Sequence, residues 1–432
     1  VKLPLADIAA VVGGRMVGDD VVVDGVSIDS RTIRAGELFV PIVAERDGHD
    51  FIAGALEGGA VAYLSSGAEP SAAPHVLVDD TTQALPAMAG AVRPALGSRV
   101  IGITGSVGKT STKDLVTAAL SAGLRTHASY RSFNNELGVP LTLLNAPDDV
   151  EAVVVEMGAR GSGHIRELCR FVQPTVGVVT RVGAAHTELF GSVDAVARGK
   201  GELIESLPDW GWAVLNADDP LVAAMARLTD CDVIRYGLEH GDVRAEAIVL
   251  DDELRPSFTA RTPWGDQHVR LAVAGVQNVS NALAAIAVGV ACGLDLPTLA
   301  DGLTRAEMSP WRMDVHRGSS GALVINDAYN ANPMSTDAAL RSLAAVDADR
   351  RIAVLGVMAE LGDEHDDGHR AMSELASALG IEVLAFDEAA YGVAVLTSHD
   401  DVLAVLGELG ERDAVLVKGS RVAGLEALAL RL

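Results

Sequence analysis

The run Gly102-Ile103-Thr104-Gly105-Ser106-Val107-Gly108-Lys109-Thr110 joins an apolar stretch to a helix-patterned one. Closely spaced glycines let backbone N–H groups converge on phosphate oxygens, and the N-terminus of a following helix adds partial positive charge. Lys109 is placed to reach the outer phosphates of a nucleotide, and the Thr110 hydroxyl to ligate Mg²⁺. The fit to G-x-x-x-x-G-K-[ST] is inexact. Five residues separate Gly102 from Gly108, and Ile103 stands where glycine is expected. A plain glycine-rich strand-to-helix turn is the alternative, but the strand before and the helix after favour ATP or GTP.

Other reactive side chains follow apolar runs in the same way. Glu156 ends Ala152-Val153-Val154-Val155, and His186 follows Thr175 to Val179. Ligands of open α/β sheets sit beyond the carboxyl ends of the strands, so Glu156 there could hold Mg²⁺. Lys200 opens the apolar-faced segment Lys200-Gly201-Glu202-Leu203-Ile204, where a lysine is more often solvated than catalytic. Asp327-Ala328-Tyr329-Asn330-Ala331-Asn332-Pro333 follows another strand. Its short polar side chains suit ribose and phosphate, or else an Asx-turn that caps the next helix. Lys418-Gly419-Ser420-Arg421 follows the last apolar strand. Two cations at a helix start oppose the helix dipole, which favours an anionic ligand over a purely structural reading. Asp29-Ser30-Arg31 is a matching polar-plus-cation cluster near the start.

The elements that must position these residues follow from the hydrophobic pattern. In the first hundred residues short strand-like runs (Val21–Val23, Glu37–Val40, His75–Val78) alternate with turns, and a helix runs over Ala84–Ala89. From Ser98 the pattern becomes βαβ, with continuous apolar strands at 99–103, 152–155, 175–179 and 212–215. Such runs suit a parallel sheet covered on both faces. Leu115, Val116, Ala119 and Leu120 mark one face of the helix after the glycine loop. Residues 241–274 alternate around Pro263-Trp264-Gly265-Asp266 and predict an antiparallel hairpin added to that sheet. Strands at 323–326, 352–355, 383–386 and 415–417 predict a second doubly wound unit. The boundaries expected are 1–97, 98–311 and 312–432. The acidic run Asp363-Glu364-His365-Asp366-Asp367 reads as a solvated loop.

Composition limits the function. The chain has 432 residues, enough for two to four domains at roughly 150 residues each. It is 49% hydrophobic and 22% charged, which excludes disorder as the main state. A net charge of −25 argues against nucleic acid or an anionic membrane as partner, though not against a small anion met by local cations. Three scattered cysteines without C-x-x-C favour a reducing compartment over disulfides or a zinc site. With no signal-peptide pattern and no apolar run of about 18 residues, a cytoplasmic protein is expected.

Taken together these motifs resemble the Mur ligase family of ATP-dependent amide-bond-forming enzymes in peptidoglycan precursor synthesis. The resemblance spans essentially the whole chain. It rests on Asp29-Ser30-Arg31, Gly36 to Val40 and Asp47 to Phe51; on Thr104 to Thr110, where the family has the same shortened spacing; on Asn134-Asn135, Gly138 to Leu143, Glu156-Met157-Gly158, His186, Lys200-Gly201-Glu202 and Asn216 to Asp219; and on Asp327 to Pro333, Met358 to Gly362 and Lys418 to Arg421. Three positions depart from the pattern: Gln277 for His, Thr336 for Met and Val357 for Asp.

The resemblance implies three α/β domains: an N-terminal UDP-substrate domain, a central P-loop-type ATPase domain and a C-terminal Rossmann-like domain for the incoming amine. The Tyr-Asn-Ala-Asn-Pro and Lys-Gly-Ser-Arg runs point to the member that joins D-Ala-D-Ala to UDP-MurNAc-tripeptide through an acyl phosphate. It implies that Gly105, Ser106, Gly108, Lys109, Thr110, Asn278, Arg312 and Asp327 bind ATP. Thr110, Glu156, His186 and Lys200 would hold Mg²⁺, with Lys200 carbamylated. Ser30, Arg31, Asn134, Asn135, Tyr329, Asn330, Asn332, Lys418, Ser420 and Arg421 would contact substrates. A monomer is expected. The alternatives are a sibling ligase with another amine or carboxylate, and a non-catalytic nucleotide-binding paralogue. Retention of Lys109, Glu156, His186 and Lys200 argues against the paralogue.

Overall fold

The computed structural model describes residues 2–67, 72–183 and 192–432. Three main sheets follow one another along the chain. The first has five short strands in the order Arg15–Val17, His75–Leu77, Ala62–Ser65, Leu38–Phe39 and Val26–Ser27, parallel except at the first pair. A separate two-stranded ribbon pairs Lys2–Pro4 with Val22–Asp24.

The second sheet has nine strands. Thr126–Ala128, Ala152–Glu156, Val100–Thr104, Val176–Val179, Trp212–Asn216, Asp232–Gly237 and Val243–Leu250 lie side by side and parallel. Pro256–Thr262 and Gly265–Arg270 then add antiparallel at the edge, as the alternating pattern predicts. Val100–Thr104 is buried along its whole length because helices cover both sides of the sheet. One is Lys109–Ser121, which lays Leu115, Val116, Ala119 and Leu120 into the core. The Ala-rich helix Gln277–Ala291 packs beside it, its small side chains allowing close approach to the sheet.

The third sheet runs Asp314–Arg317, Leu323–Asp327, Asp413–Lys418, Arg350–Leu355, Glu382–Phe386 and Val395–Leu396, with only the first strand antiparallel. Strand order reverses where Leu323–Asp327 and Arg350–Leu355 flank Asp413–Lys418. The carboxyl ends of those strands carry Asp327 and Lys418.

The first two units share one apolar cluster. Leu85, Met88 and Val92 of the helix Thr81–Val92 pack in the same core as Val139, Leu144 and Leu168. Cutting the fully buried Leu85 to alanine there costs about 2–5 kcal/mol. The third sheet has its own core, joined by Leu254 and Ala274 from the end of the central unit. Among the described residues, no helix is long and apolar enough to cross a membrane.

Two sequence expectations need correction. The acidic run 363–367 is not a loop: a short 3₁₀ turn, Gly362–Glu364, leads into the helix His365–Ala378. Asp366 and Asp367 fall in its first turn, where carboxylates favour the helix dipole. Lys200 does not open a helix. Ser192 accepts a hydrogen bond from Ala195 N and starts Val193–Glu205 seven residues earlier, so Lys200 lies in the helix interior.

Candidate active site

The glycine loop turns sharply between Val100–Thr104 and Lys109–Ser121. Gly105 has φ +153°, and a Cβ there would lie 1.8 Å from Thr180 Oγ1. Gly108, at φ +82°, is the left-handed residue that starts the helix. Thr180 Oγ1 donates to Val107 O at 2.6 Å and pins the loop to the neighbouring strand end. The half-buried Lys109 curls back over its own loop, donating to Gly105 O at 2.7 Å. Burial lowers its pKa, with Arg312 adding to the effect and Glu156 and Glu360 opposing it. The buried Thr110 stands beside it at the helix start.

Glu156, at the carboxyl end of Ala152–Glu156, is 1% exposed. Its Oε1 accepts from Asn134 Nδ2 at 2.7 Å, while Oε2 is buried with no partner among the described residues. Lys200 is 1% exposed, and burial together with nearby Lys109 holds its amine well below the ordinary lysine range. Glu202 is no counter-ion for it, because its oxygens accept from Gly163 N and Arg166 N at the start of the helix His164–Val172. His186 lies outside the described residues.

The third sheet closes over this centre. Lys109, Thr110, Glu156, Lys200, Asn278, Arg312, Asp327, Tyr329, Asn330, Asn332 and Lys418 all line one cavity of about 840 Å³. Its size is that of a site for a small ligand. Lys418, 1% exposed, donates to Asp327 Oδ2 at 2.5 Å and to Asn330 O at 3.1 Å. Asp327 Oδ1 accepts from Met313 N at 3.1 Å, which ties the segment between the sheets to the third one. Trp311 and Met313 on that segment have φ of +61° and +50°. Arg312 lies 4.1 Å over the Tyr329 ring, and its Nε is buried with no partner among the described residues. The Tyr329 hydroxyl meets Ser132 Oγ of the central unit. Arg421 stacks 4.1 Å over Trp311.

Some expected site residues have structural work. Asn332 caps Pro333–Ala344 with a reciprocal bond to Ser335, and Asn135 Oδ1 accepts from Gly138 N at the start of Gly138–Leu144. Asn278 donates to Ala274 O and accepts from Asn281. Ser420 Oγ accepts from Ala359 N at 2.9 Å and also lies within reach of Ala331 O. Ser30 and Arg31 do not line the cavity; Arg31 is exposed and paired with Asp29, which lies 2.7 Å away. Gln277 accepts from Ser342 Oγ at 3.2 Å, bridging the central and third units. Thr336 donates to the Met358 sulfur, and Val357 O accepts from Ser420 N at 2.8 Å.

Sequence reasoning missed several supporting residues. Lys113 donates to Ser129 O and Arg131 O, holding the loop that carries Ser132 and Asn134. Asp114 accepts from Ser309 N and Ser309 Oγ just before the inter-sheet segment. Both sit one turn beyond the glycine loop on its helix, and that position was the available signal.

A strand–glycine loop–helix site roofed by the carboxyl ends of a second doubly wound sheet defines a nucleotide-dependent α/β enzyme. Comparison with known proteins makes the class specific. Residues 22–94 match the Mur ligase family catalytic domain, 103–289 the Mur ligase middle domain, and 311–421 the Mur ligase glutamate ligase domain. The UDP-N-acetylmuramoyl-tripeptide–D-alanyl-D-alanine ligase of Mycobacterium bovis is 39% identical, covering 99% of this chain and 97% of its own. That of Escherichia coli is 33% identical, covering 100% and 98%. Among solved structures, MurF from Acinetobacter baumannii superposes with TM-score 0.89 at 28% identity, covering 99% of this chain and 98% of its own. The MurF ligase of Thermotoga maritima in complex with ADP gives 0.82 at 27%, covering 94% and 96%. The chain belongs to the Mur ligase family.

Proposed function

We propose that this chain uses ATP to join D-Ala-D-Ala to UDP-MurNAc-tripeptide, releasing ADP and phosphate. The observation that carries the reading is the single cavity in which Lys109, Thr110, Glu156 and Lys200 face Asp327, Tyr329, Asn330 and Lys418. The names of the similar proteins agree with it. In this reading residues 1–97 hold the UDP end, with Ser30 and Arg31 on that side. Residues 98–311 hold ATP, and residues 312–432 hold the amine. ATP and a UDP-linked substrate place the reaction in the cytoplasm.

A free carboxylate is a poor acyl donor because its leaving group is oxide. Phosphorylation supplies a better one, and phosphoryl transfer needs positioning and charge neutralisation from the protein. The loop N–H groups of 105–110 and the Lys109 ammonium neutralise the outer phosphates. Arg312, its Nε unpartnered among the described residues and its guanidinium stacked on Tyr329, faces the same phosphates from the third unit. A substrate carboxylate oxygen displaces ADP, the amine nitrogen attacks the acyl carbon, and phosphate leaves. Lys418, Asn330 and Ser420 order the wall against which the dipeptide lies.

The donor set fits Mg²⁺. Glu156 Oε2 is a buried carboxylate oxygen without a partner among the described residues, and Thr110 is the hydroxyl at the helix start. Thr110 and Glu156 would hold one Mg²⁺, and a carbamylated Lys200 with His186 another. When bound, Mg²⁺ adds positive charge against the phosphates. Carbamylation needs a neutral amine, and burial of Lys200, with Lys109 nearby, shifts its amine in that direction. The amine adds CO₂ and loses a proton, turning a cation into an anionic oxygen ligand.

The test is ATP-dependent phosphate release with UDP-MurNAc-tripeptide, with and without D-Ala-D-Ala. Release that requires both substrates, with a pentapeptide product by mass, is expected. Release that ignores the dipeptide but answers to another amine overturns the choice of acceptor.

A further inference from the structure

His365, His369 and Glu388 stand together in the third unit, outside the cavity. His365 and His369 are one turn apart on the helix His365–Ala378, and Glu388 follows the strand Glu382–Phe386. Their ligand atoms lie within 4.8 Å of one another, which suggests a metal site at first sight. The hydrogen bonding argues otherwise. His369 is 0% exposed, and its Nδ1 lies 2.6 Å from His365 O, an acceptor that requires the proton on Nδ1. Nε2 then has only its lone pair, and Met358 N–H donates to it at 2.8 Å. A metal on His369 would have to displace that amide.

Met358 belongs to the turn 357–360 beyond the carboxyl end of Arg350–Leu355. Its neighbours are fastened to the Lys418–Arg421 segment. Ser420 N donates to Val357 O at 2.8 Å, and Ala359 N donates to Ser420 Oγ at 2.9 Å. Glu360, at φ +69°, faces the cavity. Tyr391 packs edge-on against the His369 ring and donates to Gly356 O, just before the turn. The imidazole therefore stands behind one side of the turn and Ser420 behind the other.

We propose that neutral His369 is a positioning residue for the amine substrate: its Nε2 holds the Met358 amide and so sets the turn 357–360, whose Glu360 lines the cavity, and the Ser420 bonded to it. This rests on the assignment of the third unit to the amine. Burial keeps the imidazole pKa below the ordinary histidine value, with His365 O and Glu388 partly offsetting it, in keeping with an acceptor role. A buried N–H left without its acceptor loses about one hydrogen bond's free energy, which corresponds to roughly tenfold in binding of a ligand the turn supports.

The experiment compares His369→Leu and His369→Gln with wild type in steady-state phosphate release, varying one substrate at a time. A leucine has no acceptor, while a glutamine carbonyl oxygen stands near the place of Nε2. His369→Leu should raise the KM for the amine about tenfold and leave the KM for ATP within about twofold, and His369→Gln should recover most of the loss. A change in kcat alone, an equal rise in every KM, or no recovery with glutamine in a folded protein overturns the proposal. If the leucine variant does not fold, ¹⁵N-histidine NMR of the wild type decides. His369 should be the Nδ1–H tautomer, and its Nε2 signal should not move on adding Zn²⁺ alone. An Nε2–H tautomer, or a stoichiometric Zn²⁺ shift at that nitrogen, overturns it. Wild type inactive with D-Ala-D-Ala sinks the functional reading only, since the tautomer and the KM for whichever amine is accepted still test His369.

Discussion

Replacing Asp327 by asparagine should loosen the third sheet far more than a change of one atom suggests. Lys418 is 1% exposed, and among the described residues its partners are Asp327 Oδ2 and Asn330 O. The asparagine keeps the shape but leaves a buried ammonium facing neutral groups. Breaking a buried pair from one side costs about 3–5 kcal/mol. Asp327 is 16% exposed, so water relieves part of the loss and the lower end, about 3 kcal/mol, applies. Adding Lys418→Met removes the stranded charge, and the double variant should recover about 2 kcal/mol of it. Amide hydrogen exchange of residues 414–417, on the strand paired with Leu323–Asp327, reads this directly. Asp327→Asn should speed their exchange about a hundredfold, and the double variant should return most of that protection. Exchange within about threefold of wild type in the single variant, or a double variant as fast as the single, would refute the reasoning.

Lys109→Ala should lower kcat about 10²–10³-fold with unchanged circular dichroism, since among the described residues the ammonium is held by loop carbonyls and acts on the transferring phosphoryl group; near-normal turnover removes the loop from the mechanism. Lys200→Ala should be inactive and regain turnover with added formate or acetate; full activity without them, or an unmodified amine in active enzyme, contradicts the carbamate. Half-buried His127 and buried His369 both have pKa values lowered by burial, so the unfolded chain takes up protons first as pH falls. Their contribution is intact above about pH 6.5 and is lost below it, down towards the folded pKa values, by at most about 1.4 kcal/mol per pH unit for each. Urea midpoints at pH 7.5 and 5.5 check this, and His127→Gln should flatten the slope. Arg312 reaches the cavity from the Trp311–Met313 segment, and Tyr329 and Lys418 from beyond it, so solution scattering should find the ligand-free protein more extended than the complex with nucleotide and substrates. Equal dimensions in the two states would count against domain closure.

Much of the architecture was legible because parallel strands covered on both faces read as unbroken apolar runs. Val100–Thr104, Ala152–Glu156, Val176–Val179 and Asp413–Lys418 are such runs, and Glu156 and Lys418, at the ends of two of them, line the cavity. The Pro263–Asp266 hairpin was legible from alternation. Lys200 was misplaced because the helix start is fixed by Ser192, one capping serine upstream with no acidic partner three residues on. Asn135 and Asn332 show that asparagines can line a cavity while capping helices, and residue type cannot divide those roles. The Ser132–Tyr329, Gln277–Ser342 and His369–Met358 contacts had no local signal. The first two join residues 197 and 65 positions apart, and only the fold brings them together. The third depends on a tautomer set by a backbone carbonyl.

The central claim is that the tripeptide carboxylate is activated by phosphorylation before the amine attacks. It is tested most directly with UDP-MurNAc-tripeptide carrying ¹⁸O in its terminal carboxylate, incubated with ATP and D-Ala-D-Ala. The account predicts that each phosphate released carries one ¹⁸O from that carboxylate, in step with pentapeptide formed. Unlabelled phosphate alongside normal product would contradict it.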